Sequence, residues 1–496
     1  MGCLTLPDRD YYLNEGAPYT TIRQRFAAYV TQMLDLAGVP GGAEASAKVV
    51  ALETRLARAH WDDVALRDPV ATYNKFPVAQ APGLDWGRYL RLAAVDTAEV
   101  VIGQPSFFTE LGASITEVPL DDWKAYLRFS LIDHYAPYLS RKLADAAFAF
   151  HGRLLEGREV EQERWRRAVA ALNSTLGEAV GRRYVERQFA PSAKQRMDEL
   201  VADLRTAFGI SIDELDWMSA ATKAQAREKL STLSTKIGYP DRWKDYAALE
   251  VRRDDLVGNV ARAARVEHDR AVAKLGGPVD RGEWFMTPQT VNAYYNPPMN
   301  EVVFPAAILQ PPFFDPAADD AVNYGAIGAV IGHEISHAFD DQGSKYDATG
   351  NLRDWWRPQD RQRFEDRTAG LVAQYAGYEP LPGTKINGEL TLGENIADLA
   401  GVGIAHEAYR IALAGAPALD IDGFTGDQRF LLGYAQVWRS KIRDEALRQR
   451  LLSDPHSPAE YRVNGVVPNL PAFHESFATA PTDSMFKPSE QRIALW

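Results

Sequence analysis

The sequence predicts a mainly α-helical protein with a small β-sheet, organised in two domains. Its 496 residues exceed what a single hydrophobic core usually organises, so at least two domains are expected. Apolar residues recur at the 3.6-residue period of a helix through the first half of the chain. Proline and aromatic residues become frequent between 277 and 315, where short extended runs replace the helical pattern. We therefore place a helical domain at 1–235 and a second domain at 236–496.

Helices dominate the predicted first domain. Between residues 20 and 36, Ile22, Phe26, Val30 and Met33 form one apolar stripe, which indicates a helix that faces a core. The same pattern predicts further helices over 44–59, 120–155, 163–189 and 193–208. A stretch rich in Lys and Ala predicts a last helix over 219–237, which ends at Gly238 and Pro240.

The predicted second domain mixes short strands with helices. Strands are expected over 291–295 and 301–304, and helices over 323–340, 395–413 and 427–448. A sheet edge near Asn292 would allow an extended peptide to bind as an additional strand.

The pentapeptide His333-Glu334-Ile335-Ser336-His337 indicates a metal site. It has the pattern H-E-x-x-H and follows the apolar run 325–331. On a helix, residues four apart lie on one face, so both imidazoles could bind one zinc ion beside Glu334. This arrangement is typical of a metal-activated water with a carboxylate base. The pentapeptide alone is a weak signal, so its sequence context must support it.

Two acids downstream complete the predicted site. A catalytic zinc usually has three protein ligands and one open position. Glu394 and Asp398 are four residues apart, so on a helix they share a face. Glu394 could be the third ligand, and Asp398 could accept the outer N–H of a zinc histidine. Solvated surface acids are the alternative, but apolar neighbours such as Ile396 and Leu399 predict a buried helix, and buried acids need partners.

Several segments together resemble the neprilysin family of zinc metallopeptidases, which includes the endothelin-converting enzymes and bacterial oligopeptidases. The resemblance begins near Leu6 and continues to the C-terminal Trp496. The segments that carry it are 291–295, 303–314, the H-E-x-x-H helix with Phe339-Asp340-Asp341, 354–356, 393–398, 454–458 and 461–463. The resemblance implies a thermolysin-like (gluzincin) catalytic domain and a helical cap domain that enclose a central cavity. Family members carry a longer helical stretch before residue 6, so the N-terminal part of the family is expected to be missing here.

The resemblance also implies a function and a set of roles. The chain is expected to be a zinc-dependent endopeptidase that hydrolyses oligopeptides, with one Zn²⁺ per chain. The implied ligands are His333, His337 and Glu394, with Glu334 as general base and His456 as donor to the oxyanion. Asp340 and Asp398 would each orient one zinc histidine, in either pairing. Substrate main chain would be bound by Asn292, Ala293 and Arg462.

An apolar pocket is implied for the substrate residue just after the scissile bond. Its implied wall positions are Ile308, Phe313, Ala329, Val330, Val437 and Trp438. Ala329 stands where neprilysin itself has methionine, which suggests a deeper pocket that accepts larger aromatic side chains.

Composition excludes some classes of protein and leaves others open. The net charge of −12 and pI near 5.4 argue against nucleic acid or an anionic membrane as partner. The single cysteine, Cys3, cannot form an intrachain disulfide. No signal peptide or membrane-spanning run is seen, so the expected location is the cytoplasm if the start is native, and the bacterial periplasm or exterior if a signal was removed.

Two alternatives to an active peptidase stay open, and so does the oligomeric state. One is a silent peptide-binding member that lacks the N-terminal shell. The other is a zinc hydrolase of non-peptide amides, which the peptide-binding residues Asn292 and Arg462 argue against.

Overall fold

A computed structural model describes residues 3–496, and the chain forms two compact units. The first comprises residues up to 175 with 245–279 and 442–453, and the second comprises 176–244, 280–441 and 454–496. The structure divides the chain differently from the predicted boundary near residue 235. Residues 176–244 pack with the later part of the chain, and two later segments return to the first unit.

Helices form most of both units. None of those in residues 3–496 is long and apolar enough to cross a membrane. The α-helices are α1 Asp10–Leu13, α2 Tyr19–Leu36, α3 Gly42–Ala59, α4 Asp63–Leu66, α5 Trp86–Leu92, α6 Pro105–Glu117, α7 Leu120–Tyr135, α8 Arg141–Ala147, α9 Arg164–Gln188, α10 Pro191–Glu214, α11 Ala220–Thr232, α12 Leu256–Val272, α13 Asp320–Asn323, α14 Ala329–Ser336, α15 Pro358–Ala376, α16 Leu392–Ala412, α17 Gly426–Val437, α18 Asp444–Ser453, α19 Ala459–Asn464 and α20 Pro471–Phe477.

Shorter elements connect these helices. Two π-helices span Phe148–Leu155 and Tyr324–Gly328. The 3-10 helices are Val78–Gln80, Ala136–Tyr138, Pro297–Met299, Gly343–Lys345, Val467–Asn469 and Ser489–Gln491. The strands are β1 Lys75–Pro77, β2 Glu99–Val101, β3 Ser234–Gly238, β4 Tyr294–Asn296 and β5 Glu301–Pro305.

Helices α2, α3 and α7 form the centre of the first unit. Its main core contains Phe26, Tyr29, Phe129 and Phe150, each at most 4% exposed. Strands β1 and β2 form an antiparallel pair in the same unit. The predicted helix over 120–155 is interrupted, since α7 ends at Tyr135 and a 3-10 turn containing Pro137 precedes α8.

The second unit contains a three-stranded sheet in the order β3-β5-β4. Strand β5 lies in the middle and is buried throughout, with β3 parallel and β4 antiparallel to it. The prediction of helix over 219–237 was wrong at its end, because residues 234–238 form β3. The cause is tertiary, since β3 pairs with a strand more than 60 residues away in sequence.

Two other predicted helices are also shorter or broken. Helix α9 contains Leu176 at φ −128°, ψ 32°, a non-helical conformation at the boundary between the two units. The helix predicted over 427–448 ends at Val437, and α18 begins only at Asp444.

Candidate metal centre

The H-E-x-x-H segment lies on α14 in the second unit. His333 and Glu334 belong to the helix, and His337 continues its last turn with φ −59° and ψ −22°. Both histidines therefore lie on one face, as their spacing predicts, with their Nε2 atoms 3.0 Å apart. His333 and Glu334 are both buried.

Helices α14 and α16 cross at close range, which places Glu394 and Asp398 of α16 beside the two histidines. At the crossing, a Cβ added to Gly332 would lie 2.5 Å from the Gly401 oxygen, and one added to Gly401 would lie 2.5 Å from the His333 nitrogen. Only glycine permits this approach. The N-terminal turns of α16 therefore lie against α14, with Glu394 and Asp398 beside the histidines.

Hydrogen bonds determine the tautomers of both histidines. His333 Nδ1 lies 2.8 Å from Asp398 Oδ1, and His337 Nδ1 lies 2.7 Å from Asp340 Oδ2. Each Nδ1–H therefore donates to a carboxylate, and in the neutral ring Nε2 carries a lone pair. The pairing that the sequence left open is thus His333 with Asp398 and His337 with Asp340.

Three electron-pair donors converge on one point. Ligand atoms of His333, His337 and Glu394 all lie within 4.8 Å of one another. Glu394 Oε2 is buried and receives no hydrogen bond, although His333 Nε2 is 3.2 Å away. Two imidazole nitrogens and a carboxylate oxygen are a donor set that fits Zn²⁺.

The charges around these atoms also favour a cation. Burial lowers the pKa of His337, but Glu394 and Asp340 more than offset it and raise the pKa to about 10. Burial raises the pKa of Glu394, but the neighbouring histidines bring it well below its usual range. The carboxylates that stabilise a protonated His337 would equally attract a metal ion.

Comparisons with known proteins identify the family of the chain. Two models described as peptidase family M13 match residues 1–240 and 292–493. An endothelin-converting enzyme homolog of Locusta migratoria is 35% identical over 519 residues, which cover 98% of this chain and 70% of the relative. Neprilysin-3 of Drosophila melanogaster is 34% identical over 531 residues, which cover 100% of this chain and 66% of the relative. The chain belongs to peptidase family M13.

A solved structure shows the same fold and family. The crystal structure of the Mycobacterium tuberculosis zinc metalloprotease Zmp1 in complex with an inhibitor has 46% identity and a TM-score of 0.97, and the match covers 100% of this chain and 77% of that one. The resemblance to the neprilysin family is thus confirmed, and the chain is a metalloendopeptidase of family M13. It spans about two thirds of the length of the two curated relatives.

The arginine that family resemblance assigns to substrate is mainly occupied within the protein. Arg462 Nε donates to Asp398 Oδ2 and Nη2 donates to Asp398 Oδ1, each at 2.7 Å. The guanidinium carbon also lies 3.8 Å from the ring centroid of Trp438. Arg462 is therefore primarily a partner of Asp398, and these two hydrogen bonds do not use its Nη1 group.

His456 lies beside the three ligand atoms. Its Nε2 is 3.3 Å from Glu394 Oε2, and its Nδ1 is 2.7 Å from Asp454 Oδ1, which also accepts the His456 backbone N–H. Asp454 therefore fixes the direction of the ring. The sequence suggested His456 only through the resemblance, which includes Asp454 in the matching segment 454–458 but did not assign it a role.

A buried chain of side chains, which sequence reasoning missed, connects the His456 loop to α16. Ser457 Oγ donates to Asn395 Oδ1 at 2.7 Å, and Asn395 Nδ2 donates to Thr391 Oγ1 at 2.9 Å. All three residues are at most 3% exposed. Ser457 follows His456 and Asn395 follows Glu394, so the chain fixes the spacing between these two neighbours. The available signal in the sequence was that Asn395 and Ser457, two polar residues, each directly follow a predicted site residue.

The expected substrate-binding residues lie on several elements of the second unit. Asn292 is exposed and Ala293 is buried, and both immediately precede the edge strand β4. Ile308 and Ala329 are buried, whereas Phe313, Val330, Val437 and Trp438 are half-buried. Phe313 is fixed next to the π-helix Tyr324–Gly328 that precedes α14, because its carbonyl accepts the Ile327 N–H at 3.0 Å.

Proposed function

We propose that this chain hydrolyses oligopeptides with one Zn²⁺ ion held by His333, His337 and Glu394. The observation that carries the proposal is the convergence of two Nε2 atoms and Glu394 Oε2, with both outer imidazole N–H groups donated to Asp398 and Asp340. This set leaves a coordination position for water or substrate, as a catalytic rather than a structural site requires.

The chain's own residues supply the proton transfers. When bound, zinc would supply a Lewis acid that polarises the peptide carbonyl and acidifies a water molecule. Glu334 then takes the proton of the attacking water and passes it to the leaving amine. Burial raises the pKa of Glu334, although the histidines oppose this, and a raised pKa suits a group that must both accept and release a proton. His456, held by Asp454, is assigned to the oxyanion.

Substrate main chain is expected to bind along β4. This strand forms one edge of the β3-β5-β4 sheet, and Asn292 lies exposed just before it. An extended peptide could pair with such an edge, with Asn292, Ala293 and Arg462 Nη1 as further contacts. Contacts of this kind bind backbone and not side chains, which suits a broad oligopeptidase.

The preference for an apolar residue after the scissile bond is assigned to the wall residues around Ala329. Replacing Ala329 by Met should shrink the pocket and reduce cleavage before Phe relative to Leu by roughly tenfold. Competition between two peptides that differ only in this residue would measure the ratio. An unchanged Phe-to-Leu ratio would remove Ala329 from the wall.

The decisive test measures zinc content and cleavage of a quenched fluorescent oligopeptide together. We expect one zinc per chain, and cleavage that a chelator abolishes and added zinc restores. Glu334→Gln should retain zinc and lose about 10²–10⁴-fold in turnover, whereas Glu394→Ala should lose the metal. Stoichiometric zinc in a wild-type chain that cleaves no peptide would contradict the proposal and favour a silent, peptide-binding member.

A further inference from the structure

Lys229 is a fully buried lysine next to the zinc site. It lies on α11 and is 1% exposed. Its Nζ donates to the carbonyls of Gly343 and Tyr346, each at 2.6 Å. Within residues 3–496, no carboxylate forms an ion pair with this ammonium group. Burying a charge is costly, so burial lowers the pKa of Lys229 to about 7, although the charges of Asp340 and Asp347 oppose part of this shift.

Three aromatic rings surround the same ammonium group. Its nitrogen lies 5.8–5.9 Å from the ring centroids of Tyr295, Phe339 and Trp355. Cation–π attraction therefore replaces part of the hydration that the group loses. Tyr295 belongs to β4, the strand along which substrate is expected to bind, and Phe339 closely follows the H-E-x-x-H segment. Lys229 therefore packs against both the expected substrate strand and the chain next to the zinc ligands.

The two carbonyls belong to the turn that holds Asp340. Asp340 Oδ1 accepts the backbone N–H groups of Gln342 and Gly343 at 2.8 and 2.6 Å. Its other oxygen, Oδ2, accepts from His337 Nδ1. The turn also approaches the ligand directly, since a Cβ on Gly343 would lie 1.7 Å from the His337 carbonyl oxygen. A shift of the turn would therefore move both Asp340 and the backbone of His337.

We propose that Lys229 is a positioning residue of the zinc site, which fixes Asp340 against His337 by holding the carbonyls of Gly343 and Tyr346. This inference rests on the proposed zinc function. A lysine suits this position because one nitrogen with several donors can reach two carbonyls at once. An apolar side chain would remove that bridge and leave the Gly343 carbonyl with only the Tyr346 N–H, and the Tyr346 carbonyl with only the Trp355 N–H. Partners that orient a metal ligand affect metal retention as well as rate.

The test follows zinc release from the holoenzyme to a chromophoric chelator. Lys229→Met should release zinc about tenfold faster than wild type. In an Asp340→Ala background, the same substitution should add about twofold at most, because the carboxylate through which Lys229 mainly acts is gone and only the close approach of Gly343 to His337 remains. An unchanged rate of zinc release in Lys229→Met would overturn the inference. So would a double variant whose release rate is increased by the full product of the increases in Lys229→Met and Asp340→Ala.

Two further variants separate positioning from general destabilisation. Lys236→Met removes another largely buried lysine of this unit, which pairs with Glu301 at 2.8 Å and does not contact the turn. It should lower the melting temperature and leave zinc release unchanged; faster release of comparable size would overturn the inference. Trp355→Phe removes the N–H that donates to the Tyr346 carbonyl at 3.0 Å, so it tests the same turn if Lys229→Met fails to fold.

Trp355→Phe should speed zinc release about threefold, the effect of one neutral hydrogen bond, and should have a smaller effect in Asp340→Ala than in wild type. Wild-type release kinetics in Trp355→Phe would contradict the role of the turn. A wild-type protein that retains no zinc would overturn the proposed function and this inference together. A wild-type protein that binds zinc, but whose zinc release is unchanged by Lys229→Met and Trp355→Phe, would overturn the inference alone.

Discussion

Each compact unit contains a buried carboxylate, and the two are held in opposite ways. Asp398 in the second unit is 2% exposed and accepts two N–H bonds from the Arg462 guanidinium and one from His333. Glu53 in the first unit is 0% exposed. Its partners are all neutral, since it accepts the Tyr12 hydroxyl together with the backbone N–H and hydroxyl of Thr5.

The difference appears in the pKa values. Burial raises the pKa of Asp398, but the charge of Arg462 and the bonds from His333 outweigh it, so the pKa lies below its usual range. Burial raises the pKa of Glu53 to about 7, and the neutral hydrogen bonds offset only part of this rise. Burial of an acid therefore does not by itself mark a functional site. What separates Asp398 from Glu53 is a cationic partner that keeps the acid ionised.

The largest expected effect comes from removing the cation in the second unit. Arg462→Met leaves the Asp398 charge buried with only His333 as partner, so we expect a loss of about 3–5 kcal/mol in the stability of this unit. Denaturant unfolding, followed by the tryptophan fluorescence of the protein, would measure the loss. Combining Arg462→Met with Asp398→Asn removes both charges and should restore part of it. Equal stability of Arg462→Met and wild type would show that the pair is not a charged one.

Glu53 is expected to make the first unit less stable as pH rises. The unfolded chain has the ordinary value of 4.5, whereas the folded value is about 7, so the folded state binds the proton more tightly. The stabilisation is complete below pH 4.5, falls between pH 4.5 and 7, and changes no further above that. Its size is on the order of 3 kcal/mol.

Glu53→Gln tests this expectation because it keeps the acceptor and removes the titration. Thermal unfolding at several pH values should show a flatter profile for the variant, with its largest advantage over wild type above pH 7. Peptide cleavage by the variant should match wild type, because the residue lies in the other unit. Parallel profiles of Glu53→Gln and wild type would mean that another group titrates.

The spacing of residues along the sequence predicted those parts of the site that lie on one face of a single helix. His333, Glu334 and His337 share one face through the period of the helix, and Glu394 and Asp398 share another. The pairing of Asp398 with His333 and Asp340 with His337 could not be predicted, because it depends on how α14 crosses α16. Lys229 was missed for the same reason, since it lies more than 100 residues before the turn that it holds.

The fold was predictable to the same degree. Strand β5 and helices α2 and α3 follow local hydrophobic patterns and were predicted nearly at their observed bounds. Residues 234–238 have no strong local preference, and only pairing with β5 makes them a strand. The break of α9 at Leu176 likewise lies inside a continuous helical pattern, so the interleaving of the two units was not visible in the sequence.

The smallest expected effect concerns a neutral hydrogen bond inside the site. Ser457 donates to Asn395 at 2.7 Å, and both are at most 1% exposed, nearly as buried as Glu53. Ser457→Ala leaves Asn395 Oδ1 without this donor and frees the loop that carries His456. We expect kcat to fall about fivefold to tenfold, while zinc content and KM stay near wild type.

The effect should depend on His456. In a His456→Ala background, Ser457→Ala should change kcat no further, because the positioned group is absent. Ser336→Ala is the matched control, since this buried hydroxyl donates at 2.7 Å only to Gly332 of its own helix. A fall in kcat that persists without His456, or an equal fall in Ser336→Ala, would mean that the Ser457 bond contributes packing alone. Neutral buried hydrogen bonds would then serve the same purpose in both units.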